Sequence, residues 1–126
     1  MRKKILLIDD EKGFTNMLRL NLSATGDYDV VVENDSLHAL DAALQVKPDL
    51  ILLDVIMPHK EGPDVFTEIK ENDQLRETPV IFLTATVTED EVNTYGGRIG
   101  GNTFIAKPTR MEDLVESIER NLIASY

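Results

Sequence analysis

Ile5-Leu6-Leu7-Ile8-Asp9-Asp10 decides the fold. Four consecutive apolar residues end abruptly in two carboxylates. A run this short, bounded by polar signals, reads as a strand buried on both faces. The same form recurs at Leu50-Ile51-Leu52-Leu53 before Asp54, at Val80-Ile81-Phe82-Leu83 before Thr84, and at Thr103-Phe104-Ile105-Ala106 before Lys107. In open parallel sheets, ligands bind at the carboxyl ends of the strands. The pattern therefore aims three carboxylates, a hydroxyl and an ammonium at one rim.

Helical signals fill the intervals. Phe14, Met17, Leu18 and Leu22 have helical spacing, and Gly26-Asp27 marks the end of that helix. The second strand is Tyr28 to Glu33, around the β-branched Val30-Val31-Val32. A second helix follows, capped by Asp35 or Ser36, with Leu37, Leu40 and Leu44 inward and Pro48 as its stop. The third helix starts near Gly62-Pro63, because proline suits the first helical position, and turns Val65, Phe66 and Ile69 inward. Thr88 to Glu91 can form a capping box for a fourth helix, which Gly96-Gly97 and Gly100-Gly101 weaken or end. A second box, Thr109 to Glu112, opens a fifth helix with Met111, Leu114, Val115, Ile118 and Leu122 on its inner face. Such alternation predicts an α/β fold with a parallel sheet and helices on both faces. One domain is expected over residues 1–126.

The charge balance narrows the function. Thirteen basic and 23 acidic residues give a net charge of −10. That disfavours sequence-independent nucleic-acid binding and an anionic membrane surface. The chain has no cysteine, so thiolate metal sites and cysteine nucleophiles are excluded, and a reducing, cytoplasmic setting is expected. No apolar run approaches the ~20 residues of a membrane span. Asp9, Asp10 and Asp54 would repel one another unless cations intervened. Lys107 supplies one positive charge. All-oxygen ligation suits a hard ion such as Mg²⁺. His59 and His38 are read as solvated surface residues.

Taken together, Ile8-Asp9-Asp10-Glu11, Asp54-Val55-Ile56-Met57-Pro58 with Gly62, Leu83-Thr84-Ala85 and Phe104-Ile105-Ala106-Lys107-Pro108 resemble the response-regulator receiver domain of two-component signalling systems. The resemblance covers essentially the whole chain. It implies a flavodoxin-like, doubly wound sheet of five parallel strands in the order 2-1-3-4-5, with five helices. It implies that Asp54 is the phosphoacceptor and that Mg²⁺ is held by Asp10 directly, by Asp9 largely through water, by Asp54 and by the Ile56 carbonyl. Thr84 and Lys107 would bind the phosphoryl group, and Thr84 and Phe104 would form the switch. The implied partners are a histidine kinase or phosphotransfer protein of a phosphorelay, and an output protein or domain reading the surface of the fourth helix, fifth strand and fifth helix. The resemblance also admits a phosphorylation-linked homodimer.

The implied protein is a switch, not an enzyme with an external product. Three other readings compete with it. An aspartyl phosphohydrolase would need a substrate-holding insert and an Asp-x-Asp-x-Thr motif, which Asp54 does not begin. A flavodoxin-like cofactor binder would need a phosphate cradle where Asp10-Glu11-Lys12-Gly13 stands. A degenerate receiver would not need its acids, Thr84 and Lys107 intact. Ile56 is apolar where many family members are polar, and Thr86, two residues after Thr84, is small and uncharged. They are expected to set how readily water reaches the acyl phosphate.

Overall fold

The computed structural model describes residues 2–85, 98–99, 102–107 and 109–124. Its elements are β1 (Lys3–Ile8), α1 (Lys12–Ala24), β2 (Tyr28–Glu33), a 3₁₀ turn (Ser36–His38), α2 (Ala39–Val46) and β3 (Leu50–Asp54). They continue with α3 (Gly62–Glu71), β4 (Val80–Thr84), β5 (Arg98–Ile99), β6 (Asn102–Ala106) and α4 (Met111–Ala124). The sheet order is β2-β1-β3-β4-β6-β5. Apart from the two-residue β5, which pairs antiparallel to β6, every pairing is parallel. With β6 as the fifth parallel strand, the order is the expected 2-1-3-4-5 of a flavodoxin-like fold. The segment expected to form the fourth helix, with its glycine pairs, lies outside the described residues.

The apolar strands bury alternate residues on opposite faces, as a two-residue period requires. Ile5, Leu7, Leu50, Leu52, Ile81 and Leu83 pack with Leu18 and Leu22 of α1 and Leu114, Ile118 and Leu122 of α4. Leu6, Ile8, Ile51, Leu53, Val80 and Phe82 pack with Ala39 and Ala43 of α2 and Val65 and Ile69 of α3. β3 is buried throughout, so Asp54 enters the interior on the same strand as its apolar neighbours.

Some helix faces differ from the sequence reading. Met17 is 49% exposed, and Thr15 takes the inward position with Leu18 and Leu22. Leu37 is 53% exposed. Asp35 does act as a cap, its Oδ1 accepting the Leu37 N–H at 3.0 Å, but it caps the 3₁₀ turn. That turn has three residues per turn rather than 3.6, so it rotates Leu37 away from the face α2 presents. Ala39 and Ala43, which are small, seat α2 on the sheet with Leu40 and Leu44 beside them. At the other end, Lys47 takes a left-handed conformation just before Pro48. α4 starts at Met111. The Arg110 carbonyl accepts the Leu114 N–H at 3.0 Å, and the Arg110 guanidinium holds Glu112 at 3.0 Å. Arg110 rather than Thr109 therefore stands at the helix start.

Candidate phosphoacceptor site

Register brings the rim together. Ile8 pairs with Leu53, Asp54 with Leu83 and Thr84 with Ala106. Asp9, Asp54, Thr84 and Lys107 thus end, or directly follow, four adjacent strands. Asp9, Asp54 and Thr84 are buried, and the Lys107 side chain is 7% exposed. The Lys107 N–H donates to the Thr84 carbonyl at 2.8 Å, continuing the β4–β6 ladder one step past the strands.

The Lys107 ammonium stands among three carboxylates. Its Nζ lies 2.6 Å from Asp9 Oδ2, 3.1 Å from Glu11 Oε1 and 3.5 Å from Asp54 Oδ1. It also lies 4.5 Å from the centre of the Phe14 ring, within cation–π range. The second oxygen of Asp9 accepts the Glu11 N–H at 3.0 Å, and Asp54 Oδ1 accepts the Val55 N–H at 3.0 Å.

These surroundings set the acidities. Burial, followed by the Asp9 charge, pushes the Asp54 carboxyl up to about 6; Lys107 and the Val55 N–H oppose the shift without cancelling it. Burial likewise raises Asp9 despite Lys107 and the Glu11 N–H. Burial disfavours the Lys107 ammonium, but Asp9, Asp54 and Glu11 together outweigh it and hold the lysine above its ordinary value. The acids still lack positive charge, as expected of a site that accepts a further cation.

Carboxylate oxygens of Asp9, Glu11 and Asp54 lie within 4.8 Å of one another, close enough to share an ion. All are hard oxygen donors, so the residues present fit Mg²⁺. Asp10 is half-buried and is not one of these converging acids. The Ile56 side chain is 55% exposed and leaves only its carbonyl as a candidate ligand. Phe104 is half-buried and stacks on Phe82, its register partner, at 4.9 Å and 19°. Phe82 in turn meets Phe66 of α3 at 5.3 Å.

The sequence reading did not assign several supporting residues. Asn34 donates to the Asp9 carbonyl at 2.7 Å and to the Thr15 hydroxyl at 3.1 Å. It directly follows β2, so the strand-end rule that found the acids would also have found it. Ser36 donates to the Pro58 carbonyl at 2.7 Å and ties the loop after β3 to the 3₁₀ turn. The sequence places Gly62 at a helix start and in a motif, but its packing role comes from the structure. A Cβ there would collide with the Asp54 carbonyl oxygen and come within 2.9 Å of Val55 Cα. The Gly62 N–H donates to the Val55 carbonyl at 2.7 Å, so glycine lets α3 close against the backbone of the central acid.

The chain is similar to several solved structures. The N-terminal domain of a response regulator receiver protein from Methanoculleus marisnigri JR1 is 33% identical, with a TM-score of 0.70 and 94% of each chain covered. Chemotaxis protein CheY4 of Vibrio cholerae is 26% identical, with a TM-score of 0.80, covering 96% of this chain and 99% of its own. The receiver domain of a sensor histidine kinase from Pseudomonas aeruginosa PAO1 is 26% identical, with a TM-score of 0.80, covering 97% of this chain and 98% of its own. That structure has a magnesium ion coordinated in its active-site cleft. A model of the response regulator receiver domain matches residues 5–119. With the acids, the threonine and the lysine gathered at one end of such a sheet, the chain belongs to the response regulator receiver family, the phosphate-accepting signalling domains of two-component systems.

Proposed function

We propose that Asp54 accepts a phosphoryl group from a histidine kinase or phosphotransfer protein and that the acyl phosphate switches the chain's output surface. The observation that carries this reading is the placement of Asp54. It is buried at the end of the central strand, 3.5 Å from the Lys107 ammonium and beside Asp9. The Val55 N–H and Lys107 engage Oδ1, which orients Oδ2 as the nucleophile. Oδ2 attacks phosphorus, the P–N bond of the donor phosphohistidine breaks, and the departing imidazole keeps its electron pair and takes up a proton. Lys107 then balances charge on the transferred group, which in such reactions is most of the protein's task.

Asp10, Asp9, Asp54 and the Ile56 carbonyl are the proposed holders of Mg²⁺, which when bound would neutralise charge on phosphoryl oxygens. Thr84 gains a hydrogen-bond acceptor that exists only in the phosphorylated state, and such a differential contact can bias two conformations. Phe104 has no hydroxyl, so its part in the switch rests on packing against Phe82. The proposed readout is the surface of β6 and α4 with the segment between β4 and β5 that the sequence reads as a helix, offered to an output protein or domain or to a second copy. Residues 1–126 form one receiver domain in this reading, located in the cytoplasm where ATP supplies the kinase. The chain catalyses only its own phosphorylation and dephosphorylation.

The test is intact mass after incubation with acetyl phosphate, with and without Mg²⁺, for wild type and Asp54→Asn. A Mg²⁺-dependent phosphoryl adduct, missing from the variant, is the expected result. No adduct on the wild type, with no binding of beryllofluoride, would overturn the proposal.

A further inference from the structure

The Lys107 ammonium is not centred on the phosphoacceptor. Its nearest partners are Asp9 at 2.6 Å and Glu11 at 3.1 Å, with Asp54 farther away at 3.5 Å. Glu11 at the N-cap and Phe14 in the first turn of α1 both meet Lys107, so the ammonium is shared between the start of α1 and the two buried acids. The Glu11 side chain is 62% exposed and makes no helix-capping hydrogen bond, so no packing or capping role explains where it points. Its backbone does the structural work instead. The Glu11 N–H donates to Asp9, and its carbonyl accepts the Thr15 N–H at 3.0 Å. The side chain can therefore change while the turn stays intact.

We infer that Glu11, assisted by the Phe14 ring, is a positioning residue that holds the Lys107 ammonium on the α1 side of the cleft and competes with the incoming phosphoryl group for it. The inference rests on the proposed phosphorylation of Asp54. Lys107 must give up part of its Glu11 contact to follow the charge that builds on the phosphoryl oxygens. Glu11 thus tunes the reaction through the lysine without touching the reacting atoms. A Gln at this position keeps the length and the hydrogen-bonding capacity and removes only the charge.

The first readout does not depend on phosphorylation. In ¹H–¹⁵N spectra selective for lysine ammonium groups, metal-free wild type should show a Lys107 signal protected from exchange and assigned by its loss in Lys107→Gln. Glu11→Gln should shift that signal and speed its exchange, and Glu11→Asp should restore part of the protection. An unchanged Lys107 signal in Glu11→Gln would overturn the inference, whatever the fate of the phosphorylation proposal.

The second readout is the rate of adduct formation with acetyl phosphate at saturating Mg²⁺. Glu11→Gln should raise this rate about 2- to 5-fold, the scale of one partly exposed ion pair. The same substitution in a Lys107→Gln background should leave the rate unchanged, because a double-mutant cycle isolates what passes through the lysine. An equal effect in both backgrounds would overturn the inference and assign Glu11 a direct charge effect on the metal or the donor. A wild type that forms no adduct would sink the phosphorylation proposal and the kinetic competition with it, while the spectra would still decide the positioning.

Discussion

Asp54 is held against its own charge, and replacing it should strengthen the metal-free fold. Its carboxyl titrates at about 6 in the folded protein against an ordinary 3.8. At about 1.36 kcal/mol per pH unit, the ionised form costs the fold about 3 kcal/mol. The sign follows from the raised value. Below pH 3.8 the group is protonated in both states and contributes no penalty. Between 3.8 and about 6 the unfolded chain ionises first, so stability falls as pH rises, and above that the penalty is constant. Asp54→Asn removes the charge, and its amide oxygen can still accept the Val55 N–H. Lys107 keeps its 2.6 Å partner Asp9, so no buried ammonium is left unpaired. Urea unfolding in EDTA should therefore show the variant more stable by about 2–3 kcal/mol at pH 7.5, the gain shrinking toward zero near pH 4. Added Mg²⁺ should narrow the difference by stabilising the wild type more. A gain that does not vary with pH, or a variant less stable than wild type at pH 7.5, would refute the electrostatic account of this site.

Gly62→Ala should lose at least about 2 kcal/mol of stability in the same assay, because the new Cβ meets backbone rather than a side chain that can swing away. It should also weaken Mg²⁺ binding measured by calorimetry, since the displaced backbone is that of Asp54 and Val55. Phe104→Ala removes the ring stacked on Phe82 and should cost about 1–3 kcal/mol. If switching works by packing, phosphorylated Phe104→Ala should also lose much of the chemical-shift difference between the two states that wild type shows by NMR. Tyr28 is 2% exposed, and burial, then the Glu119 charge, pushes its phenol up to about 12 from 10.0. The folded state resists losing that proton, so stability should fall as pH rises from 10 toward 12, and Tyr28→Phe should flatten this alkaline loss in unfolding midpoints.

The strands were legible in the sequence because each is a short apolar run, and Tyr28–Glu33 appears with the boundaries read for it. The acids, Thr84 and Lys107 were legible for a related reason. A parallel sheet puts all its strand ends at one rim, so a polar residue closing an apolar run already has an address. Helix faces were less so. Met17 and Leu37 fit an apolar spacing, yet Thr15 and Ala39 took the buried positions, because helix phase depends on where the helix begins and on how closely it must approach the sheet.

Local pattern alone therefore determined the class of fold and the rim where the acids, Thr84 and Lys107 gather, since burial and strand polarity are properties of neighbours in the chain. Only the tertiary structure decided how the charges are shared. Glu11 and Lys107 are 96 residues apart in sequence, yet they stand at 3.1 Å. Asp9, adjacent to Asp10 in the chain, is buried against Lys107, while Asp10 stays half-buried outside the converging acids. The need for glycine at position 62 likewise arises only when α3 closes on Asp54. Distances of this kind depend on strand register and helix docking. They fix which carboxylate gains the ammonium and which stands farther from it.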